Sequence, residues 1–174
     1  RNREYELLNT QLQLQTQQER LSREITEAKL HLLQAQIEPH FLFNTLNSIS
    51  TLVLLKQTER ANAMLSRLSS FLRYTLINEP TALVPLCQEV DTLKLYLEIE
   101  KMRFEDRLRA SFEIDPSVAQ AHLPSLLLQP LVENAIKYAV TPKEEGAEIT
   151  VTAQPAGDFV RIIVSDTGPG LNRE

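Results

Sequence analysis

Apolar residues near the N-terminus recur in alternating steps of four and three. The positions in this register are Leu7, Gln11, Leu14, Gln18, Leu21, Ile25, Ala28, Leu32 and Ala35. This spacing is typical of the seam of a left-handed coiled coil, along which two helices pair. The two glutamines weaken the first half of the seam, so the second half should hold together better. The alternative interpretation is a frayed helix end.

The helical pattern continues beyond the seam, and a second one follows a polar break at residues 56–59. The apolar positions are Leu42, Leu46, Ile49 and Val53 before the break and Ala61, Met64, Leu65, Leu68, Phe71, Leu72 and Thr75 after it. Their spacing predicts a helical hairpin over about 26–78. Such a hairpin has an apolar face too wide to bury alone, which favours pairing with a second copy into a four-helix bundle.

Pro39 interrupts the first of these helical patterns, directly before His40. Proline has no N–H to donate to the carbonyl of Ala35, and its ring crowds that carbonyl. We therefore expect one continuous helix that bends about a turn before His40, with Pro39 acting as a hinge that displays the imidazole.

The C-terminal half alternates between helical and strand patterns. A break at 78–81 predicts a domain linker. Helices are predicted at about 85–104 and 124–140, the latter with a proline in its first turn, and strands at 108–114, 149–154 and 159–165. This order predicts an α/β unit with helices on one face of a mixed sheet.

Composition narrows the function classes. The 174 residues are 43% hydrophobic and carry a net charge of -5, which gives no electrostatic reason to expect nucleic acid as a ligand. Cys87 is the one cysteine, so an intrachain disulfide and a metal cluster of cysteines are excluded. A lack of disulfides is common among proteins of a reducing compartment. The apolar runs are shorter than the ~20 residues of a membrane helix, so any membrane segment is expected outside this sequence.

His40 and Asn44 are the polar residues most suggestive of chemistry. They lie four positions apart, on one helical face, with Phe41, Leu42 and Phe43 between them. A lone helical histidine is usually a packed structural residue, but here the polar groups are confined to one stripe. A neutral imidazole near pH 7 is a competent phosphoryl acceptor. By contrast, His31 and His122 lack such a context and are interpreted as surface or loop residues.

Three segments occur in an order that points to one family. They are residues 37–47 (IEPHFLFNTLN), 128–138 (LQPLVENAIKY) and 166–170 (DTGPG). Together they resemble the LytS/AlgZ-type sensor histidine kinases. Within the second segment, residues 133–138 look like the N box of the GHKL ATPases, which include histidine kinases, gyrase and Hsp90-type chaperones.

The resemblance implies ATP and Mg²⁺ as cofactors and assigns roles to residues. His40 matches the phosphoacceptor, Asn134 the magnesium ligand and Lys137 a phosphate contact; an amide oxygen and a lysine suit those roles. Asp166 ends a strand-like stretch and matches the carboxylate that binds the adenine amino group, while glycines let the backbone approach the nucleotide. The remaining members of the implied nucleotide site are Tyr138, Gly168 and Gly170.

The general base is left open by the sequence. Many histidine kinases have an acidic residue directly after the histidine, where this chain has Phe41. Glu38 and Glu133 are the two candidates. Asn44 is interpreted either as a residue that orients a water during removal of phosphate from a partner or as a surface amide. Where hydrolytic GHKL enzymes have a glutamate, four positions before the Asn, this chain has Pro130, which favours transfer to a protein side chain.

The resemblance implies an α+β multidomain chain. Residues 1–25 would form a signalling coiled coil, 26–79 a dimerising phosphotransfer hairpin, and 80–174 a GHKL (Bergerat-type) α/β sandwich. The family's ATP lid and second glycine-rich box would follow the Asp166 motif beyond Glu174. The ATP-binding domain is therefore expected to be truncated at its C-terminus, and this fragment to bind ATP poorly.

The expected protein is the cytoplasmic portion of a bacterial inner-membrane sensor kinase. It would act as a homodimer and pass phosphate from His40 to an aspartate of a response regulator, of LytTR type by resemblance. The rival hypothesis is a non-catalytic dimeric signalling scaffold.

Overall fold

The computed structural model describes residues 2–78 and 82–170, except for the side chains at 2 and 28–36. The elements in chain order are α1 (Asn2–Gln36), α2 (Pro39–Leu54), α3 (Thr58–Ile77), β1 (Leu83–Pro85), α4 (Leu86–Phe104), β2 (Leu108–Ile114), β3 (His122–Pro124), α5 (Gln129–Ala135), β4 (Ala147–Ala156) and β5 (Phe159–Asp166). A π-helical segment, Ile136–Val140, continues α5. The chain divides into two compact units, 1–42 and 43–174. The expected order of a helical region followed by an α/β sheet domain is confirmed.

The first unit consists of α1 and the start of α2. The described apolar seam residues of α1 are all more than half exposed in the single chain: Leu7, Leu14, Leu21 and Ile25. The rest of the predicted seam, at Ala28, Leu32 and Ala35, and His31 lie outside the side chains that are described. An exposed leucine seam needs a partner to be buried.

The expectation of one continuous bent helix through Pro39 is wrong. Helix α1 ends at Gln36, and α2 begins at Pro39 itself. Proline suits the first helical position because its missing N–H would have no partner there. The carbonyl of Glu38 accepts hydrogen bonds from the N–H groups of Phe41, at 3.1 Å, and Leu42, at 3.4 Å, and so closes the first turn. The chain changes direction by ending one helix and starting another, and alanine at 39 would have no bond to Ala35 to restore.

Helix α3 finds its main partner within the same chain. It packs along α4, where the rings of Phe71 and Tyr96 lie 5.7 Å apart and Arg67 Nε lies 3.2 Å from Glu98 Oε2. Its buried residues are Ala61, Met64, Leu68, Phe71 and Thr75. We expected this face to require a second copy for its burial, whereas the single chain already covers these five residues and leaves Leu65 of the same pattern 47% exposed. The predicted linker at 78–81 lies, apart from Asn78, outside the described residues.

A three-stranded mixed sheet forms the centre of the second unit. Strand β4 lies in the middle, parallel to β2 and antiparallel to β5. Alternate residues of β4 point into the core and are fully buried: Ala147, Ile149, Val151 and Ala153. Period-two burial of this kind is the signal that predicted the strand. Opposite Ile149, strand β5 ends at Asp166, which fixes the position of that carboxylate at the sheet edge.

The helix predicted over 124–140 is shorter than expected. Pro124 instead ends β3, which pairs with β1 in a separate two-stranded sheet. Helix α5 begins only at Gln129, with Pro130 in its first turn. The intervening loop carries Leu126 at a φ of 60°, in the left-handed region that a branched side chain seldom adopts.

Arg107 binds the C-terminal end of the α5 region, which comprises α5 and the π-helical segment that continues it. Its guanidinium Nη2 donates to the carbonyls of Val140, Thr141 and Lys143 at 3.0, 3.1 and 2.8 Å. These bonds satisfy acceptors that the end of a helix leaves unpaired. Gly146 allows its own backbone to lie close to the backbone of Arg107, since a Cβ at position 146 would lie 1.8 Å from the Arg107 carbonyl oxygen.

Among the described residues, no helix combines the length and the hydropathy that crossing a membrane requires.

Candidate functional site

A cavity of about 300 Å³ opens between the α5 region and the end of β5. Its lining residues are Leu131, Asn134, Ala135, Tyr138, Val164, Asp166, Pro169 and Gly170. All of them belong to the second unit. The walls are mainly apolar, and the lining residues with polar side chains are Asn134, Asp166 and Tyr138. Few polar groups set in apolar walls are typical of small-molecule sites.

The two sides of the cavity follow directly from local structure. On the helical side, the lining residues recur at i, i+3, i+4 and i+7 from Leu131, which is one face of a helix. Val132, one position on, points the other way and is fully buried. On the sheet side, Val164 and Asp166 are two apart and therefore share a face of β5. Asn134 and Asp166 are thus positioned by two regular elements.

The glycine turn after β5 rests directly on the π-helical segment. The N–H of Gly168 donates to Asp166 Oδ1 at 2.8 Å, which orients the carboxylate. A Cβ on Gly168 would lie 2.6 Å from Ala139 Cβ, so only glycine allows this approach. Gly170 has a φ of 75° and lines the cavity.

Thr167 ties this turn to the sheet. Its N–H donates to the Glu148 carbonyl at 3.1 Å, and its Oγ1 accepts from the Glu148 N–H at 3.0 Å. Lys143 Nζ donates to the Thr167 carbonyl at 3.3 Å. Pairing with β4 holds the backbone before Asp166, and the bonds of Thr167 hold the backbone after it, so the position of Asp166 is largely fixed before any ligand binds.

Two predicted site residues of the N-box segment lie beside the cavity rather than in its lining. Lys137 is exposed, with Nζ 5.1 Å from the centre of the Tyr138 ring. Glu133 is half-buried and accepts a hydrogen bond at 3.2 Å from Gln129 Nε2. The segment thus divides into residues that line the cavity, Asn134 and Tyr138, and residues at its margin.

His40 and Asn44 lie on α2, away from these elements in the sequence. His40 is exposed at the second position of the helix, and Asn44 is half-buried one turn later. Phe41 is buried, whereas Phe43 is 66% exposed, so the bulky residues around the polar stripe have different environments. An imidazole at this position is accessible to a second reactant.

Four lining residues were missed by the sequence analysis: Leu131, Ala135, Val164 and Pro169. The signal for Leu131 and Ala135 was present, since each shares a helical face with Asn134. Val164 could have been found from its spacing of two from Asp166. Arg107 gave no such signal, because its partners lie 33 to 36 residues further along the chain.

Comparison with known families matches both halves of the chain. Residues 28–108 match the family described as histidine kinase, and residues 120–174 match the family described as histidine kinase-, DNA gyrase B-, and HSP90-like ATPase.

Relatives align over most of the chain. The sensor histidine kinase YesM of Bacillus subtilis is 40% identical over 85% of this chain and 26% of YesM. The sensor protein LytS of Staphylococcus saprophyticus is 38% identical over 97% of this chain and 28% of LytS. A solved structure, the Acinetobacter baumannii histidine kinase AdeS, aligns with a TM-score of 0.43 at 14% identity, over 85% of this chain and 74% of that one. This chain spans little more than a quarter of the length of YesM and LytS. Two regions of the chain thus match the family models of histidine kinases, and over most of its length the chain is similar to sensor histidine kinases, among them proteins named LytS.

Proposed function

We propose that the protein containing this chain is an ATP-dependent sensor histidine kinase that phosphorylates itself on His40 and then phosphorylates an aspartate of a response regulator. The observation that carries the proposal is the shared cavity of Asn134 and Asp166, within the region that matches the ATPase family. His40 lies in the region that matches the histidine kinase family.

The residues of the cavity suit an adenine nucleotide with a magnesium ion. The apolar side chains of Leu131, Ala135 and Val164 offer a surface for a flat base. Asp166 would accept a hydrogen bond from the adenine amino group, and the Asn134 amide oxygen is a suitable ligand for Mg²⁺. The other residues proposed to contact the nucleotide are Lys137, Tyr138, Gly168 and Gly170. When bound, Mg-ATP supplies the phosphoryl group and the metal offsets its negative charge.

His40 acts as the nucleophile in this proposal. A ring nitrogen forms the new bond to phosphorus as the bond between the γ-phosphorus and its bridging oxygen breaks, and ADP leaves. Neutral imidazole carries the required lone pair, and His40 is exposed. Glu38, exposed directly before Pro39, and Glu133, half-buried, are the two candidates for the base. Asn44 would orient a water when phosphate is removed from the partner.

We also propose the cellular setting from the family. The chain would be the cytoplasmic portion of a kinase anchored in the bacterial inner membrane by segments outside this sequence, and its regulator would be of the LytTR type. The rival function, a non-catalytic dimeric scaffold, needs only the helices and would leave the polar groups of the cavity without a role.

Autophosphorylation of the full-length protein tests the proposal against its rival. Incubation with γ-labelled Mg-ATP should give protein-bound label that is lost in acid and kept in alkali, as a phosphorus–nitrogen bond requires. Adding the response regulator should then remove the label from the kinase. A folded full-length protein without such label would favour the scaffold instead.

Homodimerisation follows from the apolar side chains that the single chain leaves in solvent. Among the described side chains of α1 and α2 these include Leu7, Leu8, Leu12, Leu14, Leu21, Ile25, Phe43, Leu46, Val53 and Leu54. Burying one such side chain contributes about 1.5–3 kcal/mol, so several per subunit can outweigh the cost of association. Sedimentation at micromolar concentration should show a dimer.

Substitution at the seam should weaken that dimer. Changing Leu21 and Ile25 to Lys would place four charges in the paired seam and shift the protein towards monomer. Phe159→Lys is the matched control, since Phe159 is 79% exposed but lies on β5. A monomer in the unmodified protein, or equal dissociation by the control, would contradict dimerisation through these helices.

A further inference from the structure

Glu89 is a buried carboxylate that the proposed chemistry does not use. It lies on α4 and is 1% exposed. Its Oε1 accepts from the N–H of Leu128 at 3.3 Å, and its Oε2 accepts from the N–H of Leu126 at 3.2 Å. A buried charged group is costly unless such donors surround it. Both donors belong to the loop that leads into α5, the helix that carries Asn134.

The same carboxylate also reaches α3. The Tyr74 hydroxyl donates to Glu89 Oε2 at 3.4 Å. Burial raises the pKa of the Tyr74 hydroxyl, so it keeps the proton that it donates. Burial also raises the pKa of the Glu89 carboxyl, and its three hydrogen-bond donors oppose that rise. One side chain therefore connects three pieces of chain: α3, α4 and the loop before α5.

The loop that Glu89 holds is a strained one. Leu126 has a φ of 60°, which a leucine adopts only when its surroundings impose it. Its N–H is one of the two that Glu89 accepts. Three residues after Leu128, α5 presents Leu131 and then Asn134 to the cavity. Loss of this anchor would let the loop relax and shift the start of α5.

We propose that Glu89 is a positioning residue that couples α3, through Tyr74, to the loop and helix that place Asn134 in the nucleotide site. Helix α3 follows the histidine-bearing α2 along the chain. A displacement of α3 at Tyr74 would thereby alter nucleotide binding without contact between α3 and the nucleotide. The effect of Glu89 on ATP binding rests on the proposed function, whereas its effect on the loop does not.

The test uses Glu89→Gln and Tyr74→Phe in the full-length protein. Glutamine keeps the shape of the side chain, yet its NH₂ group cannot accept from a backbone N–H, so one of the two loop bonds is lost. Phenylalanine removes only the hydroxyl and keeps the ring. The matched control is Glu98→Gln, the same change on the same helix, which breaks the exposed ion pair with Arg67 on α3 but does not touch the loop.

Two measurements follow. Hydrogen exchange at the amides of Leu126 and Leu128 should accelerate about tenfold in Glu89→Gln and about threefold in Tyr74→Phe, with no change in Glu98→Gln. The Kd for Mg-ATP should rise about fivefold in Glu89→Gln and about twofold in Tyr74→Phe. In the double variant, Tyr74→Phe should add little to Glu89→Gln, because both act through one carboxylate.

The outcomes separate the two hypotheses. Unchanged exchange in Tyr74→Phe would overturn the coupling, even if Glu89→Gln failed to fold. Faster exchange in both variants with an unchanged Kd for Mg-ATP would also overturn it, since the loop would then not position the site. If the unmodified protein bound no ATP, the proposed function would fail while the exchange result still decided whether α3 holds the loop. Additive effects in the double variant would show independent roles.

Discussion

Changing His40 to glutamine in the full-length protein should reduce autophosphorylation from γ-labelled Mg-ATP on the order of 10³-fold or more. Glutamine is a good helix former of similar size, so α2 should persist. Its amide nitrogen is not nucleophilic, because the lone pair is delocalised into the carbonyl, and no covalent bond to phosphorus can form. Acid-labile label per subunit at saturating Mg-ATP measures the effect.

The control for His40 is provided by the chain itself. His122 is exposed on β3, and His122→Gln removes an imidazole without touching α2. It should leave the label at the level of the unmodified protein. Circular dichroism should show equal helix content in both variants. Acid-labile label that persists in folded His40→Gln would transfer the acceptor role to another residue.

The second large effect is expected from Asp166→Asn. Asparagine has the same shape, but its NH₂ group would face the adenine amino group or the Gly168 N–H, and two donors then oppose each other. Losing a hydrogen bond to a charged acceptor costs about 2 kcal/mol, which raises the Kd for Mg-ATP roughly thirtyfold. Titration calorimetry of the full-length protein measures this change.

A matched change shows whether the loss is local. Asp158 is an exposed aspartate in the turn between β4 and β5, and Asp158→Asn changes the charge of the same domain by the same amount. It should leave the affinity unaltered. Equal weakening in the two variants would indicate a general electrostatic effect, and unchanged affinity in Asp166→Asn would remove the residue from the nucleotide site.

The parts of the fold that could be predicted are those governed by local periodicity. Alternation along β4 and β5 and the helical spacing of α3 and α4 follow from which face is buried, and burial leaves a trace in the sequence. The cavity could be predicted for the same reason. Leu131, Asn134 and Tyr138 share a helical face, and Asp166 ends a recognisable strand.

What could not be predicted depends on partners distant in sequence or on very short elements. Strands β1 and β3 have three residues each, too few for alternation to appear. Glu89 meets its loop partners 37 and 39 residues later, and no pattern in the sequence records that pairing. Pro39 was misinterpreted because its effect depends on whether it lies inside a helix or at its first position, and only the hydrogen bonds decide between the two.

If His40 is phosphorylated as proposed, the start of α2 at Pro39 also gives the phosphorylated protein a preferred helical state. His40 is the second residue of the helix, and side chains at such positions lean towards the N-terminal end. A phosphoryl group there would bring about two negative charges to the positive end of the helix dipole. By linkage, the charge would stabilise the first turn of α2, and the ordered turn would stabilise the modification by the same free energy. Any signal that frays the first turn would then also make phosphate transfer to the regulator more favourable.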